Sequence, residues 1–357
     1  MKKILFISKN YKDGIINGGN EVTRRNFEIL SNFFDIEEVL LDYKVSILKK
    51  FKDTLFLNSL SFDKEIKFKI FRLIKENNIK EVWIDNSLYG TIAKFIKKLD
   101  STIKIITFFH NIEYLYFKDK IKVEGIQNSI MLPYSYINEK RSLKYSDKII
   151  VLNSRDNDTL KKIYSKKADL ILPLTLKDKY NEEKIKIVGN NKKPRALFVG
   201  SNFFANVEGI KWFIDNVLPE VDIELIIVGS GMNTLKEELE NKSSKIKVLG
   251  FVDDIGLEYA KADFVIAPIF KGSGMKTKTT EALMYGKTIF GTTEAFEGFE
   301  LEYFRVGALC NNQNEFINVI KENKFNRNNE YSRYIYLSKY SNESVTLKLA
   351  LSLKRSE

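Results

Sequence analysis

The first half of the chain alternates short apolar runs with stretches of helical spacing. The apolar runs are Lys3–Ser8, Lys80–Asp85, Lys104–Phe109 and Lys148–Leu152, and each has the length of a buried strand. Between two of them, Leu88–Leu99 places apolar side chains at helical intervals. Strands that alternate with helices predict a parallel sheet with helices on both faces. Ligands of such sheets bind beyond the carboxyl ends of the strands.

A charged stretch over residues 176–194 interrupts this alternation and predicts a linker. Strands and helices then resume, with predicted strands at Arg195–Val199, Ile223–Val228, Ile246–Leu249 and Phe264–Ala267 and predicted helices at Val207–Leu218 and Asn314–Ile320. The pattern predicts an α/β protein of two doubly wound, parallel-sheet (Rossmann-like) domains, residues 1–175 and 195–330, that face each other across a cleft. Residues 331–357 form a polar helical tail, for which packing against the first domain is one option.

Glycines follow predicted strands in both halves of the chain. Gly14, Gly18 and Gly19 form a predicted loop before a helical pattern over Glu21–Phe34, and further glycines stand at Gly200, Gly229 and Gly231. Such loops let backbone N–H groups approach a diphosphate, although ordinary turns also need glycine. The first loop lacks the G-x-G-x-x-G pattern, and no well-placed acidic residue follows about 20 residues later, so a dinucleotide oxidoreductase is disfavoured.

The stretch Lys271–Lys287 combines a glycine loop with the start of a helix. Gly272, Ser273 and Gly274 are followed by Lys276 and Lys278, and Glu281 comes one turn into the helical pattern. Helix N-termini bind anions, and two lysines in the first turn run against the preference of the helix dipole for acids there. Two interpretations remain open at this point, a phosphate site and a solvated helix end beside a packing loop.

Composition places the chain among globular proteins. It has 357 residues, of which 44% are hydrophobic and 29% charged, and no apolar run approaches a membrane span. We interpret Met1–Ser8 as a first strand and not as a targeting signal, because only four apolar residues precede Lys9. The single cysteine, Cys310, excludes an internal disulfide framework, and no Cys/His cluster offers a metal site. A cytoplasmic protein without a metal or cofactor is therefore expected.

The net charge of +11 is unevenly distributed. Residues 1–175 hold 32 Lys and Arg against 22 Asp and Glu, whereas residues 176–357 hold 26 against 25. A basic half favours an anionic partner such as a membrane surface, a lipid-linked phosphate or nucleic acid. The alternative is a compositional bias toward lysine that has no partner.

His110 is the single histidine of the chain and directly follows the predicted strand Lys104–Phe109. A lone histidine is more often structural, but the carboxyl end of a strand is where the ligand of a doubly wound sheet binds. The nearby polar residues Asn20, Asn111 and Glu113 have a simpler interpretation as turn or helix caps.

Several segments, in their order along the chain, carry a resemblance to a known family. The sequence resembles the family-4 retaining glycosyltransferases of the GT-B fold, in their bacterial cell-surface polysaccharide branch. The segments that carry it are the Gly18-Gly19-Asn20 loop, HNIE at His110–Glu113, SDKIIVLNSRD at Ser146–Asp156, LFVGSNFFANVEGIKWF at Leu197–Phe213, LIIVGSG at Leu225–Gly231, VLGFVDD with YAKADFVIAP at Val248–Pro268, and GSGMKTKTTEALMYGK with GTTEAFEGF at Gly272–Phe299.

The resemblance implies a role for each matched residue. Glu281 would bind the ribose hydroxyls, and His110 would contact the donor sugar. Lys276 and Lys278 would neutralise the charge on the departing nucleotide diphosphate. The other residues implied in binding the nucleotide-diphospho-sugar are Gly18, Gly19, Asn20, Gly200, Ser201, Asn202, Gly229, Phe251, Val252, Gly272, Ser273, Gly274 and Met275. Transfer would retain the sugar configuration and need no metal.

Two positions depart from the family pattern. The family places a sugar-binding glutamate eight residues before the ribose-binding one, where this chain has Ser273. Many members also carry an arginine and a lysine in the loop after the first strand of the second domain, and here the Ser201–Asn206 loop carries neither. Lys276 and Lys278 are then the nearest candidates for the phosphates.

The expected function is transfer of a sugar from a nucleotide-diphospho-sugar to a glycan or lipid-linked glycan acceptor in surface polysaccharide synthesis. The basic first half suggests peripheral contact with anionic membrane at the inner face, with no nucleic acid as partner. A nucleotide-sugar epimerase is the alternative enzyme, and it would release no free nucleotide diphosphate during turnover. A non-catalytic polyanion binder is the alternative from another class, and it would shift random RNA and DNA on a gel.

Overall fold

The computed structural model describes residues 2–12, 18–41, 53–125, 129–183, 193–272 and 274–354. The chain forms two compact units. The first unit comprises Met1–Pro173 and Thr346–Glu357, and the second comprises Leu174–Val345. The predicted tail therefore divides between the units, because its last residues belong with the first one.

The first unit is built on a parallel sheet that has six strands in the described part of the chain. The strands are β1 (Lys2–Lys9), β2 (Phe34–Leu41), β3 (Glu81–Ile84), β4 (Lys104–Phe109), β5 (Lys148–Val151) and β6 (Leu170–Ile171). Their order across the sheet is β2-β1-β3-β4-β5-β6. The connections leave β1 in one direction and continue from β3 in the other, so the topological switch point lies between β1 and β3.

Helices cover this first sheet. They are α1 (Gly18–Ser31), α2 (Lys64–Glu76), α3 (Gly90–Leu99), α4 (Glu113–Glu124), α5 (Met131–Tyr145) and α6 (Ser154–Tyr164). Apolar side chains of β1 and β3 pack against α2 and α3, and Ile70 and Ile92 are fully buried in that cluster. The last helix of the chain, Asn342–Lys354, is tied to this sheet where the Lys148 ammonium donates to the Ser352 carbonyl at 2.7 Å.

The second unit repeats the same design. Its described strands are β7 (Arg195–Val199), β8 (Glu224–Val228), β9 (Ile246–Gly250), β10 (Phe264–Ala267), β11 (Ile289–Gly291) and β12 (Gly307–Leu309). All neighbouring pairs are parallel, in the order β12-β11-β10-β7-β8-β9. The switch point of this sheet lies between β7 and β10.

The helices of the second unit are α7 (Phe204–Asn216), α8 (Lys236–Glu240), α9 (Ile255–Lys261), α10 (Thr277–Met284), α11 (Tyr303–Val306), α12 (Gln313–Lys321) and α13 (Glu330–Ile335). The Asn342–Lys354 helix is α14 in this numbering. Leu176, in the predicted linker, forms a parallel bridge with Ser341 inside the second unit. Residues 184–192 of that linker lie outside the described residues.

Two local predictions are wrong. The glycine pair Gly18-Gly19 opens helix α1 and does not form a loop before it, and that helix ends at Ser31, before Phe34. Phe34 instead begins β2, a strand that the sequence pattern did not predict. β2 is an edge strand, and its sequence FDIEEVLL carries acids that bond to Lys3, Tyr11 and Lys12, so it lacks the continuous apolar run of a central strand. Gly14 lies outside the described residues.

The helix predicted at Val207–Leu218 begins three residues earlier, at Phe204. The loop expected over Gly200–Asn206 is accordingly short, and Asn206 already lies in the first turn of α7. This shift brings the Asn206 side chain to the carboxyl end of β7, where it takes part in the site described next.

Candidate functional site

The loops after β7, β8 and β9 meet at the carboxyl edge of the second sheet. The Asn202 N–H donates to the Ser230 carbonyl at 2.8 Å, and the Gly229 N–H donates to the Gly250 carbonyl at 2.8 Å. Gly229 has φ of +156°, and a Cβ atom there would overlap the carbonyl oxygen of Gly200. The strand ends thus pack backbone against backbone, and Gly229 is required for that close approach.

Helix α10 starts beside these loops, at the switch point between β7 and β10. Gly274 precedes it with φ of +66°, a left-handed conformation that glycine adopts without strain. Lys276 occupies the N-cap position, and an ammonium group has only donors, so its side chain cannot accept a hydrogen bond from the first turn. The first-turn N–H groups and the positive end of the helix dipole therefore suit an anion.

The Lys278 ammonium lies at the end of β7. It donates to Asn206 Oδ1 at 2.6 Å and lies 4.6 Å from the centre of the Phe198 ring. A Cβ atom on Gly200 would come within 3.1 Å of it, so a larger residue at this position would displace the Lys278 and Asn206 side chains. Burial, together with the nearby charge of Lys276, lowers the pKa of Lys278 to about 7. An anion bound here would favour the protonated form again.

Lys276 has a different environment from that of Lys278. Its ammonium donates to Glu294 Oε1 and to the Gly274 carbonyl, both at 2.7 Å. The ion pair is largely shielded from solvent and links the glycine loop to the segment after β11. Lys278 is therefore the cation next to the Gly200 loop, while Lys276 holds the loop before α10 in place.

Glu281 lies one turn into α10 and faces α9. The Tyr259 hydroxyl donates to Glu281 Oε2 at 3.3 Å, and the Tyr259 ring stacks on Tyr285 with 4.5 Å between centres. Burial, followed by the charge of Glu281, raises the pKa of Tyr259 well above its ordinary value, so the hydroxyl keeps its proton. The stacked tyrosines fix one edge of the Glu281 carboxylate.

The remaining predicted residues of the second unit differ in how far they are exposed. Phe251, directly after β9, is 66% exposed, Val252 beside it is half-buried, and Ser201, Asn202 and Gly272 are exposed. Met275 is buried, with its sulfur 3.3 Å from the Leu174 nitrogen. Ser273 lies outside the described residues.

In the first unit, His110 follows β4 and bonds to a buried carboxylate that sequence reasoning missed. His110 Nε2 lies 2.9 Å from Asp85 Oδ2, at the carboxyl end of β3. The other oxygen of Asp85 accepts from Trp83 Nε1 at 2.9 Å and from Asn26 Nδ2 at 2.7 Å. Burial by itself would raise the pKa of Asp85, but His110 and these two donors outweigh burial and lower it.

The ionised carboxylate of Asp85 determines the role of one ring nitrogen of His110. A carboxylate only accepts, so Nε2 donates to it, and Nδ1 is the ring nitrogen that is not bonded to Asp85. A weak signal was present in the sequence, because Asp85 ends the predicted strand Lys80–Asp85 and His110 directly follows Lys104–Phe109, the next predicted strand along the chain.

The segment from His110 to Glu113 is held by another buried acid, Glu139 of α5. Its carboxylate accepts from the backbone N–H of Glu113 at 2.7 Å and of Tyr114 at 3.2 Å, and from the Tyr164 hydroxyl at 2.6 Å. Glu139 thus caps α4, whose own N-cap residue, Ile112, has no polar side chain. Burial raises the pKa of Glu139 to about 7, and burial with the Glu139 charge raises that of Glu113 to about 8.

Gly18, Gly19 and Asn20 form the first turn of α1, and Asn20 is buried. Further along the same helix, Asn26 is the donor to Asp85 described above.

In the described part of the chain, no group of three or more His, Cys, Asp or Glu residues is arranged to hold a metal ion. Within the same residues, no helix has the length and apolar character needed to cross a membrane.

Comparison with known proteins adds to this geometry. Residues 193–322 match the model of the family described as Glycosyl transferases group 1. No curated protein matches the chain. Among solved structures, Anabaena Alr3699/HepE in complex with UDP is similar over 99% of this chain and 100% of its own, with 15% identity and a TM-score of 0.71. A glycosyltransferase from Rickettsia africae ESF-5 covers 99% of this chain and 98% of its own, with 17% identity and a TM-score of 0.65.

At such identities the structural likeness shows the fold alone. It confirms the predicted fold class of two doubly wound parallel-sheet domains. The chain has the GT-B fold, and the part of it that carries the Gly200 loop, Lys278 and Glu281 matches the model of glycosyl transferases group 1.

Proposed function

We propose that this protein is a glycosyltransferase that uses a nucleotide-diphospho-sugar as donor. The observation that carries the proposal is the position of the Lys278 ammonium, between the Gly200 loop and the N-terminus of α10 at the switch point of the second sheet. An open α/β sheet binds its ligand at that point. A partly buried cation in the first turn of a helix is suited to a diphosphate, whose charge offsets the cost of burying the ammonium.

Glu281 is proposed to bind the ribose of the donor. Its carboxylate can accept two hydrogen bonds from the ribose hydroxyls, and the Tyr259 hydroxyl fixes its orientation. Phe251 and Val252 follow β9 at the same edge of the sheet and are proposed to contact the base. UDP is the first nucleotide to test, because the solved complexes of Anabaena HepE and of the pneumococcal transferase GtfA contain it.

The remaining features are proposed from the family resemblance. They are transfer of a hexose with retention of configuration, membership of family 4, contact of His110 with the donor sugar, and a glycan or lipid-linked acceptor in surface polysaccharide synthesis. Lys278, supported by Lys276, would stabilise the charge that develops on the departing diphosphate, without a metal ion. The bond between His110 and Asp85 supports the proposed contact of His110 with the donor sugar, because the buried carboxylate fixes the ring and leaves one nitrogen for a ligand.

Transfer and epimerisation are distinguished by their products. A transferase releases UDP from the UDP-sugar in step with the acceptor consumed, whereas an epimerase that converts the sugar in place releases none. Release of UDP that continues in the presence of EDTA supports metal-independent transfer, and conversion of the sugar without release of UDP supports the epimerase.

Replacement of Glu281 by alanine is expected to weaken UDP binding by about 100-fold or more. Two hydrogen bonds to a charged carboxylate are lost, each with a contribution of about 1.5–3 kcal/mol. Isothermal titration calorimetry gives the dissociation constant. The matched control is Tyr259→Phe, which removes one hydroxyl but keeps the stacked ring, and its affinity should stay within about tenfold of the original. A folded Glu281→Ala variant with unchanged affinity would refute the ribose assignment.

The affinity for UDP-glucose is expected to fall as pH rises above 7. Free Lys278 has a pKa of about 7, and a bound diphosphate raises it, so binding above pH 7 requires uptake of a proton. The affinity is then highest below pH 7 and decreases by up to about tenfold per pH unit above it, until the pKa of the bound state is reached. UDP-glucose is the appropriate probe, because its diphosphate keeps its charge across this range.

The control for this pH dependence is Lys278→Met, which removes the titrating group. Its affinity should be lower than that of the native chain at pH 6.5 and nearly constant from pH 6.5 to 8.5. If the native chain showed a constant affinity over the same interval, Lys278 would not be the phosphate ligand.

Asp85→Asn is expected to lower kcat by about 10- to 100-fold, the loss that corresponds to one hydrogen bond with a charged partner. The amide has the shape of the carboxylate but no charge, so the His110 ring loses its fixed orientation. UDP affinity should remain within about twofold, because the pair belongs to the other unit. His110→Ala and the double variant should show a similar kcat, since the two residues act as one group. Additive losses would contradict this coupling.

A further inference from the structure

Helix α2, Lys64–Glu76, has a core face that is fully used. Ile70 and Ile74 are buried against the first sheet, and Ile66 and Leu73 are packed beside them. At 100° per residue, these four positions form a single side of the helix. The core therefore gives no reason for further large apolar residues on the opposite side.

The opposite side nevertheless carries two phenylalanines among basic residues. We call this set the outer stripe of α2, and it consists of Lys64, Phe68, Phe71, Arg72 and Lys75, which are all exposed. At 100° per residue, these five positions fall within a face about 100° wide, on the side of the helix opposite to the core face. Phe68 is 64% exposed and Phe71 is 39% exposed.

The segment that leads into α2 also exposes large apolar side chains. Leu55 is 56% exposed and Phe56 is 62% exposed. Within 17 residues the chain thus exposes four large hydrophobic side chains, which single scattered surface residues do not explain.

The charge of the helix indicates what covers the outer stripe. Helix α2 holds five basic residues, Lys64, Lys67, Lys69, Arg72 and Lys75, against Glu65 and Glu76. Phe68 and Phe71 lie among these basic residues along the helix. Aromatic rings flanked by lysine and arginine on the solvent side of an amphipathic helix match the boundary between lipid headgroups and acyl chains, where the rings insert and the cations contact phosphates.

We propose that the outer stripe of α2 docks this protein on an anionic membrane surface. The helix has 13 residues, about 20 Å in length, and lies in the plane of the membrane with Phe68 and Phe71 inserted. Lys64, Arg72 and Lys75 contact the headgroup phosphates. A polyanion in water would require the cations but gain little from the two exposed phenylalanines, so the lipid surface accounts for both kinds of residue.

Vesicle sedimentation tests the proposal with the full chain and without donor or turnover, so its outcome is independent of the proposed enzymatic function. Vesicles with about one third phosphatidylglycerol should retain the protein, and vesicles of phosphatidylcholine alone should retain at least tenfold less. Raising the salt concentration to about 0.5 M should release most of the bound protein, because surface charges are screened.

Two variants divide the stripe into its components. Phe68→Ser/Phe71→Ser should weaken binding to anionic vesicles by about tenfold or more, through loss of the inserted rings. Lys64→Gln/Arg72→Gln/Lys75→Gln should weaken it by a similar or larger factor, through loss of three charges near the surface. Both sets of side chains are exposed, and an unchanged thermal midpoint and circular dichroism spectrum confirm that the fold is intact.

Matched controls change the same residue types elsewhere. Phe304→Ser removes a phenylalanine that is 79% exposed in the second unit. Lys161→Gln/Lys162→Gln/Lys166→Gln removes three exposed charges from α6 and the residues after it. Both should retain vesicle binding within about twofold.

Three results would overturn the proposal. They are equal binding to neutral and anionic vesicles, an equal loss in the stripe variants and their controls, and retention by random RNA or DNA without retention by vesicles. The last of these would identify the stripe as a nucleic-acid surface.

Discussion

The reversal of strand order between β7 and β10 is the constraint on which the candidate site depends. The chain leaves β7 toward β8 and leaves β10 toward β11, so the connections after these two neighbouring strands run in opposite directions. The Gly200 loop and the start of α10 occupy that position. The Lys278 ammonium is partly buried there, against Asn206 and the Phe198 ring, at a cost that lowers its pKa to about 7. The charge of a bound anion would offset this cost.

The first unit uses the same topology for a different arrangement. Its switch point lies between β1 and β3, and Asp85 at the end of β3 is buried with three donors around it. One of these donors is His110 at the end of the next strand, β4. Glu139 fixes the backbone that follows His110, because its carboxylate caps α4. Asp85 thus holds one nitrogen of the imidazole, while Glu139 holds the backbone that follows the ring.

The sequence predicted the elements whose signals are local. Apolar runs located the central strands of both sheets, and glycines marked where those strands end, so the fold class and the neighbourhood of Lys278 could be anticipated. The edge strand β2 could not be predicted in this way. Its acidic residues bond to partners on the surface and interrupt the run of apolar residues by which a strand is recognised. The partners Asp85, Glu139, Asn206 and Glu294 were also missed. Each lies 18 or more residues along the chain from the group that it contacts, and only the folded sheet edge brings the two together. The pairs are Asp85 with His110, Glu139 with Glu113, Asn206 with Lys278, and Glu294 with Lys276.

A thermal-shift comparison of nucleoside diphosphates tests the central claim, that the second unit binds a nucleotide diphosphate at the β7/β10 switch point, most directly. A nucleotide present at 100 times its dissociation constant should stabilise the fold by about 2.7 kcal/mol. The account predicts that one nucleoside diphosphate raises the unfolding temperature more than its monophosphate and more than inorganic pyrophosphate do. Equal shifts with all of these anions, or no shift with any nucleoside diphosphate, would contradict it.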